Sequence, residues 1–146
     1  VTTVLARDPV DRTRMAVVPS GSRSERGKLA VTHYRLLRRL AHTSVVEFRL
    51  ETGRTHQVRV HAAHLGHPLL GDATYGGAPL PRSGPQTLGR RDRFRLLFAD
   101  VLLRPALHAQ SLGFRHPFSG EQLHFACTPH GDMRRAWREL AAPDEE

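Results

Sequence analysis

Leu50-Glu51-Thr52-Gly53-Arg54-Thr55-His56-Gln57-Val58-Arg59-Val60-His61 is the stretch in which the chain changes period. Just before it, Val46, Phe48 and Leu50 alternate with Glu47 and Arg49 across Ser44 to Leu50, as a half-buried strand requires. Thr52-Gly53-Arg54 reads as a turn, and Thr55 is placed to cap a helix running to about Leu65, where Gly66 and Pro68 supply the stop. Within that helix Val58, Ala62 and Leu65 share one face, while Thr55, Arg59 and Ala63 share another. Such a junction projects its first-turn side chains past the end of a sheet. Arg54 and Arg59, with Thr55, His56 and Gln57 as further polar groups, suit phosphate and base-edge contacts. On the residues alone this is an RNA- or DNA-binding cleft, and a solvated basic helix surface is the plainer alternative.

Upstream, Leu29 to Leu37 is rich in apolar and β-prone residues and predicts a strand. Joined to the Ser44–Leu50 strand through residues 38–43, it predicts an antiparallel pair. The segment before Gly27 is polar, with turn clusters at Asp8-Pro9 and Ser20-Gly21-Ser22, and reads as loop. Downstream, residues 76–95 are rich in Gly, Pro and Arg without periodicity and read as a mobile insertion. Leu96 to Leu103, Leu107 to Phe114 and Gln122 to Cys127 each predict a strand, with a turn at His116-Pro117-Phe118-Ser119-Gly120. Met133, Ala136, Trp137 and Leu140 share one face of a short amphipathic helix. The fold class expected is α+β: a mixed, mainly antiparallel sheet with a few helices.

With 146 residues the chain has the size of one domain, which can bury roughly 70% of its unfolded surface without metal or disulfide. No run approaches the roughly 20 apolar residues of a membrane helix, and the amino terminus lacks the basic-then-apolar pattern of a secretory signal. A cytoplasmic protein is expected, or an organellar one in a eukaryote. Val1 in place of Met indicates a processed, trimmed or incomplete chain. Lys plus Arg number 22 against 14 acids, for a net charge of +8. Three of those acids, Asp144, Glu145 and Glu146, form an acidic tail, so residues 1–143 hold 22 basic against 11 acidic groups. That excess predicts a polyanionic partner, nucleic acid being the commonest. Lys28 is the only lysine, and arginine's planar fork favours phosphates and base edges.

The other chemistries find little support. His61, His64 and His67 are spaced by three, but Gly66 breaks the helix between the second and third, and no acid is interleaved before Asp72. No metal site is expected from such a set. Cys127 is the only cysteine and falls on the inward side of its strand, where a buried structural thiol is the usual occupant. No nucleophile elbow, phosphate-cradling glycine loop or dinucleotide fingerprint is present.

The run from Leu50 to His61, continued by Leu65-Gly66-His67-Pro68-Leu69-Leu70-Gly71-Asp72 and Tyr75-Gly76, resembles the L-x-T-G-R-T-H-Q-I-R-V-H…G-H-P-I-x-G-D…Y-G signature of RluA-type RNA pseudouridine synthases. Lys28-Leu29-Ala30-Val31-Thr32-His33-Tyr34 is similar to that family's G-K-x-A-x-T-x-Y strand. Arg104 to Ala109, His116-Pro117 with Ser119-Gly120, and Phe125 to Pro129 resemble its later elements, as Arg7-Asp8-Pro9 and Met15-Ala16-Val17 resemble the segment before them. Residues 76–95 are the main unmatched part. The resemblance implies a pseudouridine-synthase-like fold and a cofactor-free isomerisation of a uridine flipped out of RNA, ribosomal or transfer. It implies that Arg59 pairs with and positions a nucleophilic aspartate, and that Arg54, Thr55, His56 and Gln57 shape the pocket and contact the nucleotide.

The family's aspartate lies in an H-R-L-D motif that these 146 residues do not contain, and its base-stacking tyrosine also belongs to the missing region. Residues 1–143 are therefore expected to be the C-terminal portion of a catalytic domain, inactive alone, with Arg59 the partner of an aspartate outside the chain. A non-catalytic RNA-binding relic of the same fold is the alternative, and an unrelated basic nucleic-acid-binding protein is a third reading.

Overall fold

The computed structural model describes residues 1–21, 27–40, 43–76 and 104–141. In chain order its elements are β1 (Thr2–Arg7), β2 (Met15–Val17), β3 (Lys28–Arg39), β4 (Ser44–Leu50), α1 (Gln57–His64), β5 (Ser111–Arg115), β6 (Gln122–Ala126) and α2 (Gly131–Ala141). The first four strands form one sheet in the order β2-β1-β3-β4, and β5 and β6 form a separate hairpin. Every pairing among the described residues is antiparallel.

β3 holds the larger sheet together because its two halves serve different neighbours. Lys28–Val31 pairs with Leu5–Thr2 of β1, and Thr32–Arg39 pairs with Leu50–Ser44 of β4, with a register shift between Leu36 and Arg38. The expected strands over 29–37 and 44–50, and their antiparallel pairing, are both present. Tyr34 faces Phe48 across the ladder with ring centroids 6.5 Å apart, the kind of aromatic pair that stabilises a sheet.

The opening segment is not the loop its turn residues suggested. It is a β1–β2 hairpin whose turn those same residues build. Asp8 Oδ1 accepts from the amides of Val10 and Asp11, and Asp11 Oδ1 accepts from the amide and hydroxyl of Thr13. These side-chain-to-backbone bonds are turn chemistry, while the flanking β-branched Thr2, Thr3, Val4 and Val17 supply the strands. At the entry to β3, a Cβ on Gly27 would overlap Val4 Cγ1 and lie 3.3 Å from Val18 Cγ2, so only glycine fits.

One core forms where α1 packs on β2 and β3. Leu5, Ala30, Val60 and Tyr75 are buried there, with Met15, Val17 and Ala63 packed around them. Val58 and Ala62 are buried as the helix reading required, but Leu65 follows the helix and is 38% exposed.

Further along, Ala106 N donates to Leu70 O at 2.7 Å, tying the 104–107 segment to the loop after α1. The strand expected from Leu107 begins only at Ser111, because Leu107 N bonds instead to Pro105 O in a tight turn. The turn at 116–120 is present, closed by His116 N to Glu121 O. Cys127 is exposed, correcting its expected burial: it lies just past β6, and its amide bonds Gln110 O. In α2, Ala136 is buried and Arg104 pairs with Asp132 through Nε and Nη2, both at 2.9 Å. The strand expected at 96–103, most of the insertion expected at 76–95 and the acidic tail lie outside the described residues.

Candidate functional site

The junction between β4 and α1 is organised by the Gln57 carboxamide, which is 2% exposed. Its Oε1 accepts from Thr52 Oγ1 and from the Arg54 amide, each at 2.9 Å. Its Nε2 donates to Val31 O and Thr32 Oγ1, also at 2.9 Å. One side chain thereby joins the turn, the helix start and the middle of β3. Below it His61, also fully buried, bridges two strands: Nε2 meets Thr3 Oγ1 at 2.8 Å and Nδ1 meets Thr32 Oγ1 at 2.7 Å.

The helix starts one residue later than a Thr55 cap would place it. α1 begins at Gln57, and the cap position is His56, in left-handed backbone at φ 56° with no side-chain cap bond. A non-glycine residue there costs about 1–2 kcal/mol, so the surroundings must hold it. Tyr75 does so. Its hydroxyl accepts from the Met15 amide at 2.9 Å and lies 3.0 Å from His56 Nδ1. The Tyr75 hydroxyl thereby ties the imidazole to β2 from outside the helix. Burial first, and then the Arg59 charge, hold His56 below the ordinary histidine pKa.

Arg59 stands one turn further along. Its Nε and Nη2 donate to the two carboxylate oxygens of Asp72, both at 2.8 Å, and its guanidinium lies 4.9 Å from the centroid of the Tyr75 ring. The Arg59 side chain is 17% exposed and that of Asp72 is fully buried. Asp72 Oδ1 also receives the amides of Thr74 and Tyr75 at 3.2 and 3.3 Å. Burial raises the Asp72 pKa, but the Arg59 hydrogen bonds and charge and the two amides outweigh it, so the carboxyl sits below its usual range. The same hydrogen bonding raises Arg59 above its already high value. Arg14 brings a second guanidinium to Tyr75, 5.2 Å from its centroid.

The five residues singled out in the sequence therefore occupy different places. Arg59 and His56 converge on Tyr75. Arg54 is half-buried and donates from Nε to Leu29 O at 3.0 Å, leaving Thr55 exposed at the tip of the turn. Gln57 lies beneath them. Sequence reasoning assigned no role to Asp72, Tyr75 or Arg14, although Gly71-Asp72 and Tyr75-Gly76 stand in the run quoted above. Other described aspartates are committed elsewhere: Asp8 and Asp11 to their turn, Asp132 to Arg104. Among the described residues no group of three or more His, Cys, Asp or Glu side chains could hold a metal ion, and no helix is long and apolar enough to cross a membrane.

Residues 5–64 match the family profile described as RNA pseudouridylate synthase. The chain is 45% identical over 136 residues to a ribosomal large subunit pseudouridine synthase D from Zymomonas mobilis, covering 93% of this chain and 38% of that protein. It is 40% identical over 134 residues to RNA pseudouridine synthase 2, chloroplastic, of Arabidopsis thaliana, covering 88% of this chain and 31% of that one. The chain thus spans about a third of the length of these curated relatives. Among solved structures, human RNA pseudouridylate synthase domain containing 1 superposes with a TM-score of 0.60 at 26% identity, covering all of this chain and 61% of that one.

Proposed function

The chain belongs to the RNA pseudouridylate synthase family, and from that membership we infer that the protein isomerises uridine to pseudouridine in RNA. The bond from the ribose C1′ to N1 breaks, the base turns, and C1′ bonds to C5. C5 loses its proton to solvent and N1 gains one, so the reaction balances without a cofactor. Flipping the uridine out costs a few kcal/mol of stacking, which a basic cleft can offset through backbone contacts.

The observation that carries this reading is the Arg59 guanidinium, fixed on one edge by Asp72 and on its face by Tyr75 yet still partly open. Among the described residues only its Nε–Nη2 edge is engaged. The remaining N–H groups suit a second carboxylate, the nucleophile, whose ionised form a neighbouring guanidinium favours. That carboxylate comes from outside these 146 residues, where an H-R-L-D motif belongs. Arg54 and Thr55 contact the nucleotide from the turn, His56 presents its imidazole beside them, and Gln57 shapes the pocket by holding the turn in place.

The polymer is ribosomal or transfer RNA. The likeness to a ribosomal large subunit pseudouridine synthase of Zymomonas makes large-subunit ribosomal RNA the first substrate to try, and the site of action is the cytoplasm, or an organelle in a eukaryote. Tritium release from RNA labelled at uridine C5 tests the reading. Full-length protein carrying the aspartate should release tritium, and the 146-residue chain alone should bind RNA and release none. RNA binding without release by the full-length protein would instead establish the non-catalytic relic.

A further inference from the structure

We propose that Asp72 is a positioning residue for the isomerisation: it acts through Arg59, holding the guanidinium at the orientation from which it meets the nucleophilic carboxylate. The inference rests on the function proposed above and extends it to a residue with no assigned role there. An isolated arginine has four side-chain torsions and no reason to keep one orientation. Here two parallel N–H···O bonds of 2.8 Å fix the plane of the fork, and bidentate pairing of this kind sets geometry as well as energy.

Asp72 is itself held. It lies at full burial in the turn after Gly71, which has φ 75°, and its Oδ1 receives the Thr74 and Tyr75 amides. The backbone that anchors the carboxylate is therefore the backbone that carries the Tyr75 ring under Arg59. One short segment sets both the edge and the face of the guanidinium. With three donors on Oδ1, one on Oδ2 and no exposure, the Asp72 carboxylate is turned into the protein and does not face a ribose. It is a support for chemistry and not the nucleophile.

A second carboxylate on Arg59 would also share its charge with Asp72. The site then contains two acids and one guanidinium, and Arg14, 5.2 Å from the same ring, supplies the balancing charge. Arg14 Nε is buried and has no hydrogen-bond partner among the described residues, while the charge of this second cation also acts on the Asp8 and Asp11 carboxylates of the β1–β2 turn.

The test compares Asp72→Asn, Arg59→Lys and the double variant in the full-length protein, by steady-state tritium release. Misplacing a reacting group by about 1 Å can cost on the order of 100-fold, so Asp72→Asn should lower kcat roughly 10- to 100-fold while KM stays within about threefold. The double variant should be no slower than Arg59→Lys alone, because Asp72 has nothing left to position. Losses that multiply in the double variant, or an unchanged kcat for Asp72→Asn, would overturn the proposal. Should Asp72→Asn fold poorly by thermal melting, Asp72→Glu keeps the charge and displaces it, and the same non-additivity with Arg59→Lys is required. An unmutated protein that releases no tritium overturns the isomerase reading, whereas an active one with a wild-type Asp72→Asn variant overturns only the role of Asp72.

Discussion

The Tyr75 hydroxyl is bonded at once to the Met15 amide of β2 and to His56 Nδ1, at 2.9 and 3.0 Å. It links the short edge strand to the strained start of α1, while its ring stands edge-on to His56 at 83° and beneath Arg59. Tyr75→Phe keeps the ring and removes that link. A part-buried amide and an imidazole nitrogen lose their partner, which costs about 1–3 kcal/mol. Urea unfolding should show that loss at an unchanged m-value, and equal stability of the two proteins would mean that the hydroxyl is not what holds His56 in left-handed backbone.

Acid should destabilise the fold before any carboxylate titrates. His61 is held below the ordinary histidine value chiefly by burial, with His64 adding repulsion, and His56 by burial with Arg59 adding. The unfolded chain therefore binds protons that the fold refuses. Stability is complete above about pH 6.5 and falls as pH drops below it. Asp72 moves stability the same way, but its depressed carboxyl acts only below about pH 4, so the two windows separate. Unfolding free energies measured from about pH 5 to about pH 7.5 should rise with pH. His61→Gln should be less stable at neutral pH and show a flatter profile. A full slope in that variant would assign the effect to other groups.

Much of this was legible in the chain. β3 announces itself by its apolar, β-prone composition and β4 by the alternation of Val46, Phe48 and Leu50, and the Arg59 block stands out by motif. β2 does not, since three residues cannot declare a strand and Met15–Val17 owes its conformation to pairing with β1. Thr55 looked like the cap because threonine commonly is one, whereas the actual cap position is set by Tyr75 from outside the helix. Asp72 was hidden for a similar reason. Its meaning is its contact with Arg59, 13 residues away, and no local spacing rule reports that. Cys127 misleads because the alternation of Leu123, Phe125 and Cys127 suggests a buried face, whereas Leu123 is only part-buried and Phe125 is 54% exposed on the same strand.

Gly27 is a packing requirement rather than a turn requirement. A methyl group there meets Val4 and Val18 from the adjoining β1–β2 hairpin. Overpacking of this kind costs about 1–3 kcal/mol, and the strain falls on β1, which carries Leu5 of the core. Gly27→Ala should lower the melting temperature, and Val4→Ala in the same protein should recover part of the loss. Additive destabilisation by the two changes would remove the clash as the cause.

Gln57 separates a structural role from a nucleotide-contacting one. Its carboxamide makes four bonds inside the protein, so Gln57→Ala should cost about 2–4 kcal/mol from buried groups left unpaired. RNA affinity, measured where the variant remains folded, should fall only as far as the Arg54–Thr55 turn loosens. A large affinity loss at unchanged stability would show that Gln57 leaves its buried bonds to reach the nucleotide.

Arg54 should report the backbone contact directly. It sits at the turn where β4 gives way to α1, anchored through Nε to Leu29 O, so its charge is held in place at little further entropic cost on binding. If it neutralises one phosphate of a single-stranded segment, Arg54→Gln should weaken binding across sequences and reduce the slope of log K against log salt by about 0.7. Because the Nε anchor is lost too, the control is Arg54→Lys, which restores charge without the fork and should recover most of the slope. A lysine variant as flat as the glutamine variant would place the role of Arg54 in holding Leu29 and not in holding phosphate. An unchanged slope in both would remove Arg54 from the RNA-binding surface.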